Sequence, residues 1–215
     1  MMIFLDILLF LFLILAVYDT VQSYRHGPRW AKPCLMVVLA IFYISYQLIC
    51  GQTWSVGSFF VIFALLCGSA GDHLLEQGEK FFAAGLGSFL AGHILYILAM
   101  IPTIRMNRPM IALAAAAAYL VIVILLVRPL LPHIDQSMRI PVWAYMIVLV
   151  LMSYLALLRW LACGGAAMMT WTGSICFIIS DTILAYHVFA GKKNFLIMET
   201  YILAQLMMTL GFLLA

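Results

Sequence analysis

The chain has 215 residues, of which 67% are hydrophobic and 9% are charged, and its mean hydropathy is +1.16. Soluble domains carry roughly 25% charged residues, so this composition excludes a water-soluble globular protein. The formal net charge is only +3, and we therefore expect no nucleic-acid partner.

Hydropathy divides the chain into eight apolar segments separated by charged residues, proline and glycine. A helix needs ~20 apolar residues to cross the hydrocarbon core of a bilayer. In chain order, the predicted spans are residues 2–22, 33–51, 55–75, 81–101, 109–128, 140–160, 165–189 and 195–214. The short connections favour antiparallel neighbours. The sequence predicts an all-α polytopic membrane protein, with a single bundle of about eight transmembrane helices and one domain over residues 1–215.

Lysine and arginine are divided unevenly between the two ends of these spans. One side holds, in its links or beside them, Arg25, Arg29, Lys32, Lys80, Arg128, Arg139, Lys192 and Lys193. The other side holds Arg105, Arg108 and Arg159. Because basic residues concentrate in cytoplasmic loops, we expect the first side to be cytoplasmic and both termini to lie outside. The compact loops are typical of a bacterial inner membrane protein.

Small residues recur in the fourth span at the spacing of one helical turn. Ala83, Gly87 and Ala91 stand four residues apart, and such a stripe lets two helix backbones approach closely in lipid. We therefore predict that these three residues form a helix-packing face.

Two aspartates are the first candidates for a functional site. An ionisable group inside a bilayer costs at least ~2.5 kcal/mol on insertion scales, so each one indicates function by default. Asp72 closes the third span and Asp181 lies inside the seventh. The alternatives are a solvated helix-end carboxylate for Asp72 and a purely structural role for Asp181. Asp6 and Asp19 lie near span ends, where we expect a solvated or capping role.

Five further polar residues accompany the aspartates: Lys32, His93, Tyr96, Tyr201 and Gln205. His93 and Tyr96 share a helix face at a spacing of three, as Tyr201 and Gln205 do at a spacing of four. Lys32 stands before a proline at the start of the second span. We expect these groups to converge on one polar pocket in the cytoplasmic half of the bundle. The alternatives are hydrogen bonds between helices for His93 and Tyr96, and extension of Lys32 to the lipid headgroups.

At these residues the chain resembles the YhhN family of membrane proteins, whose animal members are the TMEM86-type lysoplasmalogenases. The similarity runs from about residue 30 to the end and rests on five stretches in register. They are Lys32-Pro33, Ser69 to Leu75, Phe82 to Phe89 continuing into Gly92 to Tyr96, Ile179 to Ala185, and Tyr201 to Gln205. His73 departs from the pattern, because an apolar residue is expected after the Gly-Asp pair, and it adds a titratable group beside Asp72.

The resemblance implies a hydrolase that cleaves the vinyl ether bond of lysoplasmalogens. The products would be a fatty aldehyde and glycerophosphoethanolamine or glycerophosphocholine. It implies Asp72 and Asp181 as catalytic residues and Lys32, His93, Tyr96, Tyr201 and Gln205 as substrate-binding or supporting residues. The expected partners are a lysophospholipid substrate and membrane lipid. No metal or cofactor is expected, and the sequence leaves the oligomeric state and the headgroup preference open.

The residues present are compatible with this chemistry. Vinyl ethers hydrolyse in acid, because protonation of the distal alkene carbon gives an oxocarbenium ion that water captures. A carboxylic acid in a low-dielectric site keeps its proton more readily and suits the general acid. A second, ionised carboxylate would stabilise the cation. Asp181 is favoured as the acid because it lies deeper in its span, although the residues alone leave the two roles open.

Two other classes of protein remain open at this stage. A small proton-coupled transporter or channel would use Asp72, Asp181 and His93 as a proton relay. A non-catalytic lipid-binding scaffold would keep the fold without the reaction. Release of aldehyde in detergent, without a gradient, distinguishes the enzyme from both.

Overall fold

The computed structural model describes the chain except for residues 1, 26, 28, 106–107 and 193–195. Eight α-helices and three short 3-10 turns, with no strand, make up the regular structure of the described residues. The helices are α1 (Met2–Arg25), α2 (Ala31–Ile49), α3 (Val56–Glu76), α4 (Phe82–Met100), α5 (Pro109–Val127), α6 (Gln136–Cys163), α7 (Ala167–Ala190) and α8 (Ile197–Leu213). Because a lipid core offers no water to backbone groups, apolar segments of this length satisfy their amides within a helix.

Seven of these helices, α1 to α7, are long and apolar enough to cross a membrane. The all-α polytopic prediction is confirmed. The eighth helix has 17 residues, about 26 Å at the helical rise, which is at the lower limit for a span. The crossing of α8 therefore stays a prediction. The predicted start of this span at residue 195, like Lys193 in the charge count, lies outside the described residues.

The predicted helix boundaries are close to the observed ones, with one consequential difference. The sixth span was expected over residues 140–160, whereas α6 runs from Gln136 to Cys163. It ends at Gly164 and Gly165, whose φ angles of 69° and 47° lie in the left-handed region. Glycine adopts this region without a Cβ penalty, so the chain can turn directly into α7.

The first compact unit, Met1–Pro102, contains α1 to α4. Helices that follow one another in the chain pack against each other, and α3 and α4 make the most extensive contact. Glycines permit this approach: a Cβ on Gly92 would lie 3.2 Å from the Ala64 carbonyl oxygen, and one on Gly85 3.3 Å from the Gly71 carbonyl oxygen. The hydroxyl of Ser69 donates to the Pro33 carbonyl at 2.8 Å and fixes α3 against the start of α2.

The predicted packing face of the fourth span is wrong within the described structure. Ala83, Gly87 and Ala91 are exposed, and a Cβ on Gly87 would meet no atom within 4 Å. The face that meets α3 carries Gly85 and Gly92 instead. Both stripes consist of small residues at helical spacing, so spacing alone does not tell which one packs.

The second compact unit, Thr103–Ala215, contains α5 to α8. Consecutive helices are again in contact, most extensively α7 and α8. A Cβ on Gly173 of α7 would lie 2.9 Å from the carbonyl oxygen of Ala204. The two helices can therefore pack this closely only because residue 173 has no side chain. The Tyr119 hydroxyl connects α5 to α6 and α7, since it lies 2.9 Å from Ser153 Oγ and accepts from Trp171 Nε1 at 2.9 Å.

Candidate functional site

Asp72 lies at the end of α3 inside the first unit and is completely buried. The Lys32 ammonium, in the first turn of α2, is 3.1 Å from its Oδ1. Lys32 itself is only 8% exposed, so its side chain does not extend freely to the lipid headgroups. A cation at this distance favours the ionised form of a carboxyl group. The structure therefore brings together two of the predicted site residues as a buried ion pair.

Three charged residues that the sequence reasoning did not select extend this pair. Arg29 Nη2 donates to Asp19 Oδ2 at 2.8 Å, and its Nη1 is 3.5 Å from Glu76 Oε1. The same Glu76 oxygen is 4.0 Å from the Lys32 ammonium. Asp19 has no exposed surface, so the expectation of a solvated or capping role is wrong. The sequence did contain a sign of this ion pair, since Arg29 follows Asp19 across one short link. A hydropathy profile does not consider such pairs.

His93 and Tyr96 are both buried on α4, and they share the helix face that the spacing predicted. Gly92 packs beside Ala64, whereas Gly85 packs beside Gly71. At the helical rise, His93 therefore stands roughly 13 Å deeper along the helices than Asp72. The polar residues of the first unit thus extend from the helix ends toward the middle of α4.

Asp181 lies on α7 in the second unit and is half-buried. The hydroxyl of Tyr145, on α6, donates to Asp181 Oδ2 at 2.5 Å. Tyr145 was not among the predicted site residues, because a tyrosine in an apolar helix has packing as its ordinary explanation. The neighbouring Ser180 donates to the Ile197 carbonyl at 3.0 Å and joins α7 to the start of α8.

Tyr201 and Gln205 are buried on α8, on the shared face predicted from their spacing. The Gln205 amide donates to the Tyr201 hydroxyl at 3.5 Å, and the Tyr201 ring meets Phe177 of α7 edge to face. Because Phe177 stands one turn before Asp181, Tyr201 packs against the same stretch of α7 that carries the carboxylate.

Arg159 was counted with the basic residues in or beside the links, but the structure buries it in the last turns of α6. Its Nη1 donates to Thr170 Oγ1 at 2.7 Å and to the Gly211 carbonyl at 3.0 Å, and the guanidinium lies 4.8 Å from the Phe212 ring centroid. Carbonyls near the end of a helix carry partial negative charge, so the guanidinium stabilises the end of α8. A charged residue can mark the end of an apolar segment in the sequence while the helix continues past it.

The two aspartates are thus held by different groups, an ammonium for Asp72 and a phenol for Asp181. Among the described residues, no group of three histidine, cysteine or acidic side chains lies close enough to hold a metal ion.

Comparison with known proteins gives a family for this arrangement. The model of the YhhN family matches residues 28–212, which include every candidate site residue. The chain belongs to the YhhN family. It is 34% identical over 152 residues to human lysoplasmalogenase TMEM86B, an alignment that covers 69% of this chain and 61% of the relative.

Bacterial relatives in the YhhN family match over a longer stretch. A lysoplasmalogenase of Mycobacterium bovis is 30% identical over 194 residues, which is 84% of this chain and 68% of the relative. The alignments with the human, pig and mouse proteins cover 61% of their length, so this chain spans less than two thirds of those relatives. No solved structure matches the chain.

Proposed function

We propose that this protein is a lysoplasmalogenase-type hydrolase that cleaves the vinyl ether bond of lysoplasmalogens. Its products are a fatty aldehyde and glycerophosphoethanolamine or glycerophosphocholine. The observation that carries the proposal is the similarity to proteins named lysoplasmalogenase at 30–34% identity. The membrane-spanning helices support it, because a single-chain lipid can reach carboxyl groups that lie between such helices.

Asp181 is proposed as the general acid and Asp72 as the ionised partner. The acid transfers its proton to the distal alkene carbon, and the positive charge develops on the carbon bonded to the ether oxygen. Water adds to that carbon and gives a proton back to the Asp181 carboxylate, and the resulting hemiacetal collapses to the aldehyde and the free glycerol hydroxyl. The Lys32 ammonium supports the assignment, since it favours the charged form of Asp72.

The remaining candidate residues are proposed as supporting groups. Lys32 holds Asp72 and attracts the phosphate of the headgroup at the membrane face. His93, Tyr96, Tyr201 and Gln205 orient the water molecule or the glycerol hydroxyl. Their burial supports these roles, because a polar group in a dry site is worth more to a reaction than one in water.

We further propose that the two compact units act as one YhhN domain in a bacterial inner membrane. The family match runs across both units, which supports a single functional domain. Both termini are proposed to lie outside the cytoplasm, with the more basic links inside. This orientation assumes that α8 crosses the membrane like the seven longer helices.

The test is aldehyde release by purified protein in detergent, from a lysoplasmalogen and from its saturated alkyl-ether analogue. We expect aldehyde from the vinyl ether alone, and a kcat at least a hundredfold lower in Asp72→Asn and in Asp181→Asn, the usual size of a lost acid or electrostatic group. If both residues serve one reaction, the double variant is no slower than the slower single variant. A folded but silent wild type would refute the proposal and turn attention to a proton-coupled transporter.

A further inference from the structure

Tyr145 presents its only hydroxyl hydrogen to Asp181. The donor and acceptor are 2.5 Å apart, at the short end for a bond between a hydroxyl and a carboxyl oxygen. Tyr145 is 6% exposed, and it reaches Asp181 from α6 while the carboxyl group belongs to α7. The contact therefore joins two helices and fixes one oxygen of the carboxyl group.

We propose that Tyr145 is a positioning residue for Asp181, one that holds the carboxyl group in a fixed orientation between α6 and α7. This inference rests on the proposed hydrolysis. A phenol has one O–H to donate, so Oδ2 serves as the acceptor.

The same hydrogen bond assists the proton transfer energetically. The proton leaves the Asp181 carboxyl group for the distal alkene carbon, the alkene electron pair forms the new C–H bond, and Asp181 is left with a negative charge. A hydrogen bond to an ionised acceptor is roughly twice as strong as one to a neutral acceptor. The bond from Tyr145 strengthens as the charge develops, so it stabilises the transition state more than the ground state and raises kcat more than it lowers KM.

A matched control lies nine residues further along the same helix. The Tyr154 hydroxyl also donates from α6, but to the backbone carbonyl of Ala112 at 3.2 Å. Tyr145→Phe and Tyr154→Phe each remove one hydroxyl and keep the ring. A purely structural contribution would affect both variants alike, whereas positioning of the acid affects only the first.

The experiment measures kcat and KM for the wild type, Tyr145→Phe, Tyr154→Phe, Asp181→Asn and the Asp181→Asn/Tyr145→Phe double variant. We expect Tyr145→Phe to lower kcat about tenfold with KM within twofold, since ~1.4 kcal/mol of transition-state stabilisation is one factor of ten. Tyr154→Phe should retain wild-type kcat. In the Asp181→Asn background, removal of the Tyr145 hydroxyl should lower kcat no further.

Each other outcome overturns the inference. Equal losses in the two phenylalanine variants, or an undiminished effect of Tyr145→Phe in the Asp181→Asn background, would make Tyr145 a structural residue while leaving the proposed hydrolysis in place. A wild type that releases no aldehyde removes the hydrolysis and this role together. The hydrogen bond is tested separately by the infrared C=O or carboxylate band of Asp181, assigned by its loss in Asp181→Asn, which should shift in Tyr145→Phe and not in Tyr154→Phe.

Discussion

Lys32 and Asp72 form one ion pair, but replacing one or the other should change the free energy of unfolding by different amounts. Lys32→Met leaves a completely buried carboxylate without its nearest cation, whereas Asp72→Asn leaves a lysine that still lies 4.0 Å from Glu76. Breaking a buried pair costs about 3 kcal/mol or more when a charge is stranded. We expect Lys32→Met to lower the free energy of unfolding by about 3 kcal/mol and Asp72→Asn by less than half of that.

Unfolding in a detergent and denaturant series measures this difference. Lys80→Met is the control, because Lys80 is exposed in the turn between α3 and α4 and should be nearly neutral. Adding Asp72→Asn to Lys32→Met should recover part of the lost stability, since the stranded charge is then removed. Equal losses in the two single variants would show that Glu76 does not compensate the Lys32 charge when Asp72 is neutral.

Single residues mark the limit of prediction from the sequence. Asp72 and Asp181 could be selected because a carboxyl group in an apolar helix needs a partner. Their partners could not all be selected: Lys32 was, but Tyr145 was not. Arg159 was counted with the basic residues in or beside the links, yet it is buried in α6. A sequence shows which side chains are costly to bury, whereas the groups that compensate them come from other helices.

At the scale of elements, close packing of α7 on α8 leads to a stability prediction. A Cβ on Gly173 would lie 2.9 Å from the Ala204 carbonyl oxygen and 2.9 Å from the Met208 nitrogen. Both are backbone atoms, so Gly173→Ala must displace a helix. We expect a loss of about 2 kcal/mol, the range of overpacked cores, together with a lower thermal unfolding temperature.

The control for this substitution is Gly87→Ala in α4, where a Cβ would meet nothing within 4 Å. Both changes gain the same helix propensity, up to about 1 kcal/mol, so their difference isolates the contact. Gly87→Ala should be neutral or stabilising. Similar unfolding temperatures for the two variants would contradict close packing of α7 on α8 at Gly173.

The length of each apolar segment was enough to predict that it forms a helix, and most helix boundaries were predicted within a few residues. The face with which each helix packs could not be predicted in the same way, as the small residues of α4 show. Ala83, Gly87 and Ala91 form as regular a stripe as Gly85 and Gly92, but the latter two meet α3. In lipid, apolar and small residues are acceptable on both faces, so the amphipathic pattern that orients helices in water is weak.

For the whole molecule, the bias of basic residues predicts an orientation that can be tested across one helix. Lys80 precedes α4 and Arg105 follows it, and both are exposed. The side of Lys80 carries eight basic residues against three on the side of Arg105, so Lys80 should face the cytoplasm. Because only α4 separates these positions, the prediction holds whether or not the 17-residue α8 crosses the membrane.

Labelling with a membrane-impermeant maleimide measures this orientation in intact and permeabilised cells. The variants are Lys80→Cys and Arg105→Cys, each in a background from which the five native cysteines have been removed. We expect Arg105→Cys to react in intact cells and Lys80→Cys only after permeabilisation. The reverse pattern would place the Lys32 and Asp72 pair, which lies at the same end of α3 as Lys80, on the outer side of the membrane and would require the lysolipid to enter from the outer leaflet.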